Sequence, residues 1–358
     1  MIERVGASGR SMREIPGIRV LFRVDWRTIL PLLLLVCWIA LLLETILWIR
    51  PDLLNPAQIG TDSSNYYAAG QRLNDGHQLY SLQAGDRPIA NGLWPDPWSY
   101  PLLSPPPVAV VWRVLALLPG DLSMDLWALA GVAASFVFVA LLILRCRPRL
   151  YPGLLALMPF MAITAWSGNV NALLIPACAL VWWATVKGRP GLAGSLVGLA
   201  FVLKLMPGLW IWWFIIRRDL RALAVCLATV AVALVVSGIG AGPASFVQYA
   251  AVAREAGSVG LEVLSPVSLA TGLGVPVALA DLVPYLLAAG AAAIAWRWRD
   301  RPSWAFAACA VGVTLGTPDL RWEVLGWLLL AFVPFANDPA PWTWRPLRTV
   351  AGLGLESV

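Results

Sequence analysis

Four charged residues set the chemical question. Asp62 opens the stretch Asp62-Ser63-Ser64-Asn65-Tyr66-Tyr67-Ala68-Ala69-Gly70-Gln71-Arg72-Leu73. Lys204 interrupts an apolar run over residues 190–216, and Arg321 and Glu323 stand in Thr317-Pro318-Asp319-Leu320-Arg321-Trp322-Glu323. A fixed carboxylate can take the proton of an incoming hydroxyl. An amine inside a membrane segment is functional by default and pairs with phosphate as a point charge. Arg321 is a second phosphate ligand on the same reasoning. Each residue also has a structural reading. Asp62 suits a helix N-cap, Lys204 can snorkel to the interface, and Arg321 can pair with Asp319 or Glu323. Asn169 and Asn171, in Ser167-Gly168-Asn169-Val170-Asn171, can bind sugar hydroxyls or cap a helix starting near Val170. Tyr66 and Tyr67 can be interfacial anchors or part of a sugar site.

The elements that must hold these groups are membrane spans. Of 358 residues, 59% are hydrophobic and 13% charged, against roughly 25% charged in soluble domains. Long apolar runs recur, at about 28–49, 122–144, 152–166, 170–186, 190–203, 207–216, 222–239, 276–296, 303–315 and 324–335. With about 20 residues per span, the expectation is an all-α polytopic membrane protein of about ten or eleven transmembrane helices. An Arg-rich arm (1–27), one membrane domain (28–335) and a short tail (336–358) complete it. The first apolar run has no small-residue cleavage site and reads as a retained span. Trp210, Trp212 and Trp213 read as lipid-belt residues.

The net charge of +6 comes from Arg and Lys at the ends of apolar runs. That is an orientation signal, not a nucleic-acid surface, and no nucleic-acid partner is expected. The clusters at Arg145/Arg147/Arg149, Lys187/Arg189, Arg217/Arg218/Arg221, Arg297/Arg299/Arg301 and Arg345/Arg348 join the N-terminal arm on the cytoplasmic side. Residues 50–107 then form a long external loop. Parity requires that 105–119 not cross, and this short, Pro-bounded segment carrying Arg113 reads as re-entrant or juxtamembrane. It also requires 190–216 to be two short arms with Lys204 near the tip, a form tolerated where broken helices line a cavity. The outer tips then collect the polar residues that are neither basic nor terminal. Five scattered cysteines without Cys-x-x-Cys spacing argue against disulfides and zinc.

The order of these motifs resembles glycosyltransferase family 87, membrane mannosyltransferase-like enzymes of GT-C fold that use polyprenyl-phosphate sugars. Asp62…Tyr66-Tyr67-Ala68-Ala69…Leu73…Gly76…Leu79-Tyr80 is similar to its first-loop signature. Tyr100-Pro101 with Leu115-Ala116-Leu117-Leu118-Pro119, then Ser167-Gly168-Asn169-Val170-Asn171, resemble its next blocks. Gly191…Gly194…Gly198…Lys204…Pro207…Arg217-Arg218 resembles its Lys-x-x-Pro block, and Leu264-Ser265-Pro266-Val267-Ser268-Leu269 a later Asn-x-Ser-Leu block. One block departs. The last outer loop should carry a Trp-His-His-like pattern, but the sole histidine of the chain is His77. Either Glu323 takes a polar role there, or this chain has a different substrate or reduced activity.

The resemblance implies an inverting transfer of a hexose, with mannose the expected sugar, from a polyprenyl-phosphate donor to a hydroxyl of a lipid or polysaccharide acceptor. The reaction would face the extracytoplasmic side of the plasma membrane. Asp62 would be the base, with Glu323 as the other catalytic carboxylate. Lys204 and Arg321 would bind the donor phosphate. Tyr66, Tyr67, Asn169, Asn171, Ser265 and Ser268 would bind sugar or acceptor. No cofactor is expected: the chain has no Gly-rich phosphate loop, no Asp-x-Asp, and no cluster that requires a metal. The alternatives are a transporter or flippase for a lipid-linked sugar, which would favour pseudo-symmetric halves, and a non-catalytic family member.

Overall fold

A computed structural model describes residues 26–53, 61–80, 102–259, 265–318 and 320–336. The basic arm up to residue 25, Tyr100-Pro101, Asp319, the tail beyond residue 336 and much of the first loop lie outside the described residues. The described residues are helical, without strands. In chain order the helices are α1 (Trp26–Leu53), α2 (Thr61–Asn74), α3 (Pro106–Leu115), α4 (Gly120–Arg145), α5 (Tyr151–Trp166), α6 (Asn171–Val186), α7 (Pro190–Leu203) and α8 (Leu209–Ile216). There follow α9 (Leu220–Ala241), α10 (Ala244–Val259), α11 (Pro266–Gly272), α12 (Val277–Ala280), α13 (Val283–Arg297), α14 (Pro302–Leu315) and α15 (Trp322–Leu325), which tightens into a 3₁₀ segment, Gly326–Phe335.

Among the described residues, three stretches are long and apolar enough to cross a membrane: Gly120–Arg145, Leu220–Ala241 and Val277–Arg297. The rest of the bundle uses shorter apolar helices, among them Ile29–Glu44, Asn171–Val186, Pro190–Leu203 and Pro302–Leu315. Leu, Val and Ile are exposed along these helices, for example Val232, Val235 and Ile239 on α9. Lipid can cover such side chains, and a hydrogen-bonded helix leaves no backbone group unsatisfied there.

Register fixes how the chain turns. A Cβ on Gly194 would lie 2.3 Å from the Ala222 carbonyl oxygen, and one on Gly198 2.7 Å from that of Cys226. The contacts advance together along both helices, so α7 and α9 run parallel. The chain between them must therefore double back. It does so after Leu203, where Lys204 is extended (φ −148°, ψ 125°) and a 3₁₀ turn, Met206–Gly208, starts the return arm α8. The two-arm form with Lys204 near its tip follows from this geometry. Arm α8 then runs antiparallel to α14, with Leu209 against Gly312 and Trp213 against Phe306.

This position corrects one expectation. Trp210 and Trp213 are fully buried, packed on Phe306, Trp182 and Trp327. A return arm sits inside the bundle, so its tryptophans fill the core instead of a lipid belt. Trp212 is half-buried and donates to the Ala292 carbonyl.

Helix α3 stays at one end of the bundle. It packs on α2, where Gly70 meets the Trp112 carbonyl, and on the far end of α9, where Val110 meets Gly240. Its ten residues rise about 15 Å, half of a hydrocarbon core. A non-crossing element was the reading parity required. Helix α10 was not anticipated: its 16 residues occupy what read as a polar tip.

Candidate active site

The bundle end that carries α2 and α3 also collects the outer tips. Helix α2 is amphipathic, and Tyr66, Ala69, Gly70 and Leu73 are buried, as the shared helical face predicts. It docks on the α5–α6 turn. The Asp62 amide donates to the Ser167 carbonyl at 3.2 Å. Ser63 packs on Gly168, whose φ is +64° and where any Cβ would stand 2.7 Å from the Ser63 side chain. Glycine is required there for both conformation and space.

That docking sets Asp62 against Asn169. The Asn169 side-chain amide donates to Asp62 Oδ2 at 2.7 Å, and its Oδ1 accepts from the Asn171 N–H at 2.9 Å. Asn169 therefore caps the first turn of α6, one of its two expected roles, and also fixes the Asp62 carboxylate, which was not anticipated. Asp62 lies within the first turn of α2, which begins at Thr61, and its hydrogen bond to Asn169 reaches across to the α5–α6 turn.

Asp62 is half-buried. Burial is the largest influence on its acidity and pushes its pKa above the ordinary carboxylate value. The positive charge of Lys204, the Asn169 hydrogen bond and the charge of Arg321 pull it back. Glu323 lies within electrostatic reach of Asp62, Arg321 and Lys204. The fold thus brings together four charged residues spread from position 62 to 323. Both cations act on both carboxylates.

The supports of this cluster come from neighbouring elements. Thr164 Oγ1 donates to the Glu323 carbonyl at 2.9 Å, tying α15 to α5. Ser265 caps α11 by accepting from the Val267 N–H and donates to the Pro318 carbonyl at 2.6 Å, fixing the loop before Arg321. Trp127 donates to the Gly168 carbonyl at 2.8 Å and packs edge-on against Tyr66. Thr164 and Trp127 were not singled out from sequence. A hydroxyl in an apolar run was the available signal for the first; one tryptophan among 20 gave none for the second.

Other sequence candidates fall into different places. Tyr66 is 2% exposed, wedged between Trp112 and Trp127, and its hydroxyl accepts from the Val170 N–H. Burial and the Asp62 charge both favour its neutral form. Tyr67 points to the α3–α4 turn: its hydroxyl donates to the Leu118 carbonyl and accepts from Gln71. The structure does not bring Tyr67 to the Asp62 cluster. Asn171 is fully buried, and neither atom of its amide has a hydrogen-bond partner among the described residues. The Ser268 hydroxyl is in the same condition.

The model of glycosyltransferase family 87 matches residues 103–318, more than half of the chain. The chain belongs to this family. The matched region contains Asn169, Asn171, Lys204, Ser265 and Ser268, while Asp62, Arg321 and Glu323 lie outside it. A curated relative, the polyprenol-phosphate-mannose-dependent alpha-(1-2)-phosphatidylinositol pentamannoside mannosyltransferase of Mycobacterium tuberculosis (strain CDC 1551 / Oshkosh), is 33% identical over 178 residues. That similarity spans 45% of this chain and 37% of the relative. No solved structure matches.

Proposed function

We propose that this family 87 protein transfers a hexose, with mannose the expected sugar, from a polyprenyl-phosphate donor to a hydroxyl of a lipid or glycan acceptor, with inversion. The observation that carries the reading is the convergence of Asp62 and Glu323 with Lys204 and Arg321 at the polar end of the bundle. The relative named above takes its mannose from a polyprenol phosphate, which supports the donor class.

In this reading the acceptor oxygen attacks the anomeric carbon and forms the glycosidic bond. The bond from that carbon to the phosphate oxygen breaks, and polyprenyl phosphate leaves. The hydroxyl proton passes to Asp62. A carboxylate whose pKa is raised by burial is a stronger base than a free one, and Asn169 holds it in place. Lys204 and Arg321 stabilise the departing phosphate, a form of charge stabilisation that is usually the largest catalytic contribution. Glu323 shares the field of both cations and takes the polar role at the position of the missing histidines.

The basic ends of the helices lie opposite this site. Phe332 packs on Gly153 and Phe335 on Trp304, so the end of the 3₁₀ segment, Arg149 and Arg301 share the other face. By the positive-inside rule that face is cytoplasmic, and the site opens to the extracytoplasmic side of the plasma membrane. The direct test is turnover by the purified full chain with a panel of polyprenyl-phosphate sugars. Transfer to a mannoside acceptor that vanishes in Asp62→Asn supports the reading. Transfer from none of the panel sinks it.

A further inference from the structure

Asn65 follows Asp62 by three residues on α2. Its side-chain oxygen is buried and has no hydrogen-bond partner among the described residues. A buried amide oxygen left unpaired is costly, and native proteins seldom retain one without a reason. The other side chains in this condition, tryptophans apart, are Ser135, Asn171 and Ser268 among the described residues. Asn171 is two residues from the Asn169 that holds Asp62. Ser268 is on the helix capped by Ser265. Three of these four unpaired groups therefore belong to elements that build the polar cluster.

Helix geometry gives Asn65 a specific task. Residues three apart are neighbours on a helix surface, with Cβ atoms about 5–6 Å apart. Asp62 and Asn65 thus form a carboxylate–amide pair on one flank of α2. The unpaired atom of Asn65 is an acceptor, so it calls for a donor. If Asp62 takes the proton of one hydroxyl, an acceptor atom one turn along the helix suits the next hydroxyl on the same ring. Neither Tyr66 nor Asn169 donates to the Asn65 oxygen.

We propose that Asn65 is a specificity-determining residue that accepts a hydrogen bond from the hydroxyl adjacent to the attacking one, so that the acceptor is a sugar presenting a vicinal diol. The inference rests on the assignment of Asp62 as the base. It separates sugar acceptors from molecules that offer a single isolated hydroxyl.

The test uses the purified full chain, polyprenyl-phosphate mannose as donor, and octyl α-mannoside as the acceptor probe, beside its 3-deoxy analogue, which lacks the hydroxyl adjacent to an attacking 2-hydroxyl such as the relative's alpha-(1-2) linkage requires. Loss of one neutral hydrogen bond corresponds to a factor of about 3–10. Asn65→Ala should raise KM for octyl mannoside by that factor while kcat changes little. The ligand-free variant should melt at the wild-type temperature or higher, because no bond within the protein is lost. The 3-deoxy probe should cost the wild type the same factor and cost the variant nothing further. With a probe that binds without turnover, the mannoside-induced rise in melting temperature carries the same comparison. An unchanged response to octyl mannoside in Asn65→Ala, equal 3-deoxy penalties in both proteins, or a wild type that neither binds nor converts the probe overturns the proposal. A melting temperature lowered in the ligand-free variant, with the 3-deoxy penalty intact, assigns Asn65 a structural role instead. Failure of the base reading shows separately, as full turnover in Asp62→Asn.

Discussion

Asn169 donates its side-chain amide to the Asp62 carboxylate across 2.7 Å, joining residues 107 positions apart in sequence. The same side chain accepts from the Asn171 N–H, so its orientation is set from behind. The carboxylate is held by a neutral donor while the charges of Lys204 and Arg321 also act on it. Such an arrangement leaves it ionisable and fixed in direction.

Asp62→Asn tests the base directly. Asparagine keeps the size and can still accept the Asn169 amide through its own oxygen, so the fold and donor binding should persist. Turnover should fall by about 10²–10⁴-fold if a general base is removed. Stability supplies an independent check. Burial raises the Asp62 pKa above its ordinary 3.8, so between those two values the folded protein holds a proton that the unfolded chain releases. Stability due to this residue therefore falls as pH rises through that window. Asp62→Asn lacks the effect. Its melting temperature relative to wild type should rise with pH across the window and then level off. A constant difference at all pH values would contradict the burial of the ionised group, and wild-type turnover would move the base to Glu323.

Much of this site was legible before the structure because charge is conspicuous in apolar sequence. Lys204, Arg321 and Glu323 stand out against runs of Leu, Val and Trp, and parity alone demanded the reversal at Lys204. What the sequence could not supply was the partner of each group. Asn169 was divided between capping and sugar binding, and it turns out to cap and to hold Asp62. Tyr66 and Tyr67 are adjacent and look equivalent, yet about 100° of helical rotation sends one into the Trp112–Trp127 pocket and the other to the α3–α4 turn. The α8 tryptophans were misread because apolar periodicity is the same for a helix facing lipid and one facing core. Helix α10 was missed because it is only weakly apolar.

Lys204 is expected to bind the donor phosphate. It is half-buried at the break between α7 and the return arm, where its extended backbone ends α7. Lys204→Met keeps the apolar stem and removes the charge. Losing a charged hydrogen bond should weaken polyprenyl-phosphate sugar binding by about 10–100-fold with little change in melting temperature. Unchanged donor affinity would leave Lys204 as a snorkelling side chain.

Orientation is open to chemical labelling. Arg147 lies in the turn between α4 and α5, on the basic end of the bundle. A single cysteine placed there should react with a membrane-impermeant thiol reagent only after the membrane is opened. One at Gln71, exposed on α2, should react in intact cells. The reverse pattern would place the site on the cytoplasmic face, and labelling of both positions from the same side would show that α3 crosses the membrane.

Helix α2 is kept at its height by a close backbone contact with α3. Gly70 meets α3 so closely that a Cβ would stand 2.5 Å from the Trp112 carbonyl oxygen and 2.7 Å from its carbon. Both atoms are backbone, so no side chain can swing away. One turn further on, Asn74 and Arg113 exchange hydrogen bonds at 2.9 Å each: the Asn74 amide donates to the Arg113 carbonyl, and Arg113 Nε donates to Asn74 Oδ1. Arg113 also donates to the Gly240 carbonyl at the end of α9. Helix α2 is thereby clamped to α3, and α3 to the bundle. Gly70→Ala must part the two helices, at a cost of roughly 1–3 kcal/mol for overpacking, and the displacement would carry Asp62 away from Asn169 and Lys204. Turnover should therefore fall together with the melting temperature. Arg113→Met removes the clamp without forcing the helices apart and should cost less of both. Gly191→Ala is the control. No neighbouring atom lies within 4 Å of a Cβ there, and alanine favours the helix, so stability should hold or rise by up to about 1 kcal/mol. Gly70→Ala with wild-type turnover would show that the height of α2 does not matter to the chemistry, and would remove Asp62 from the reacting centre.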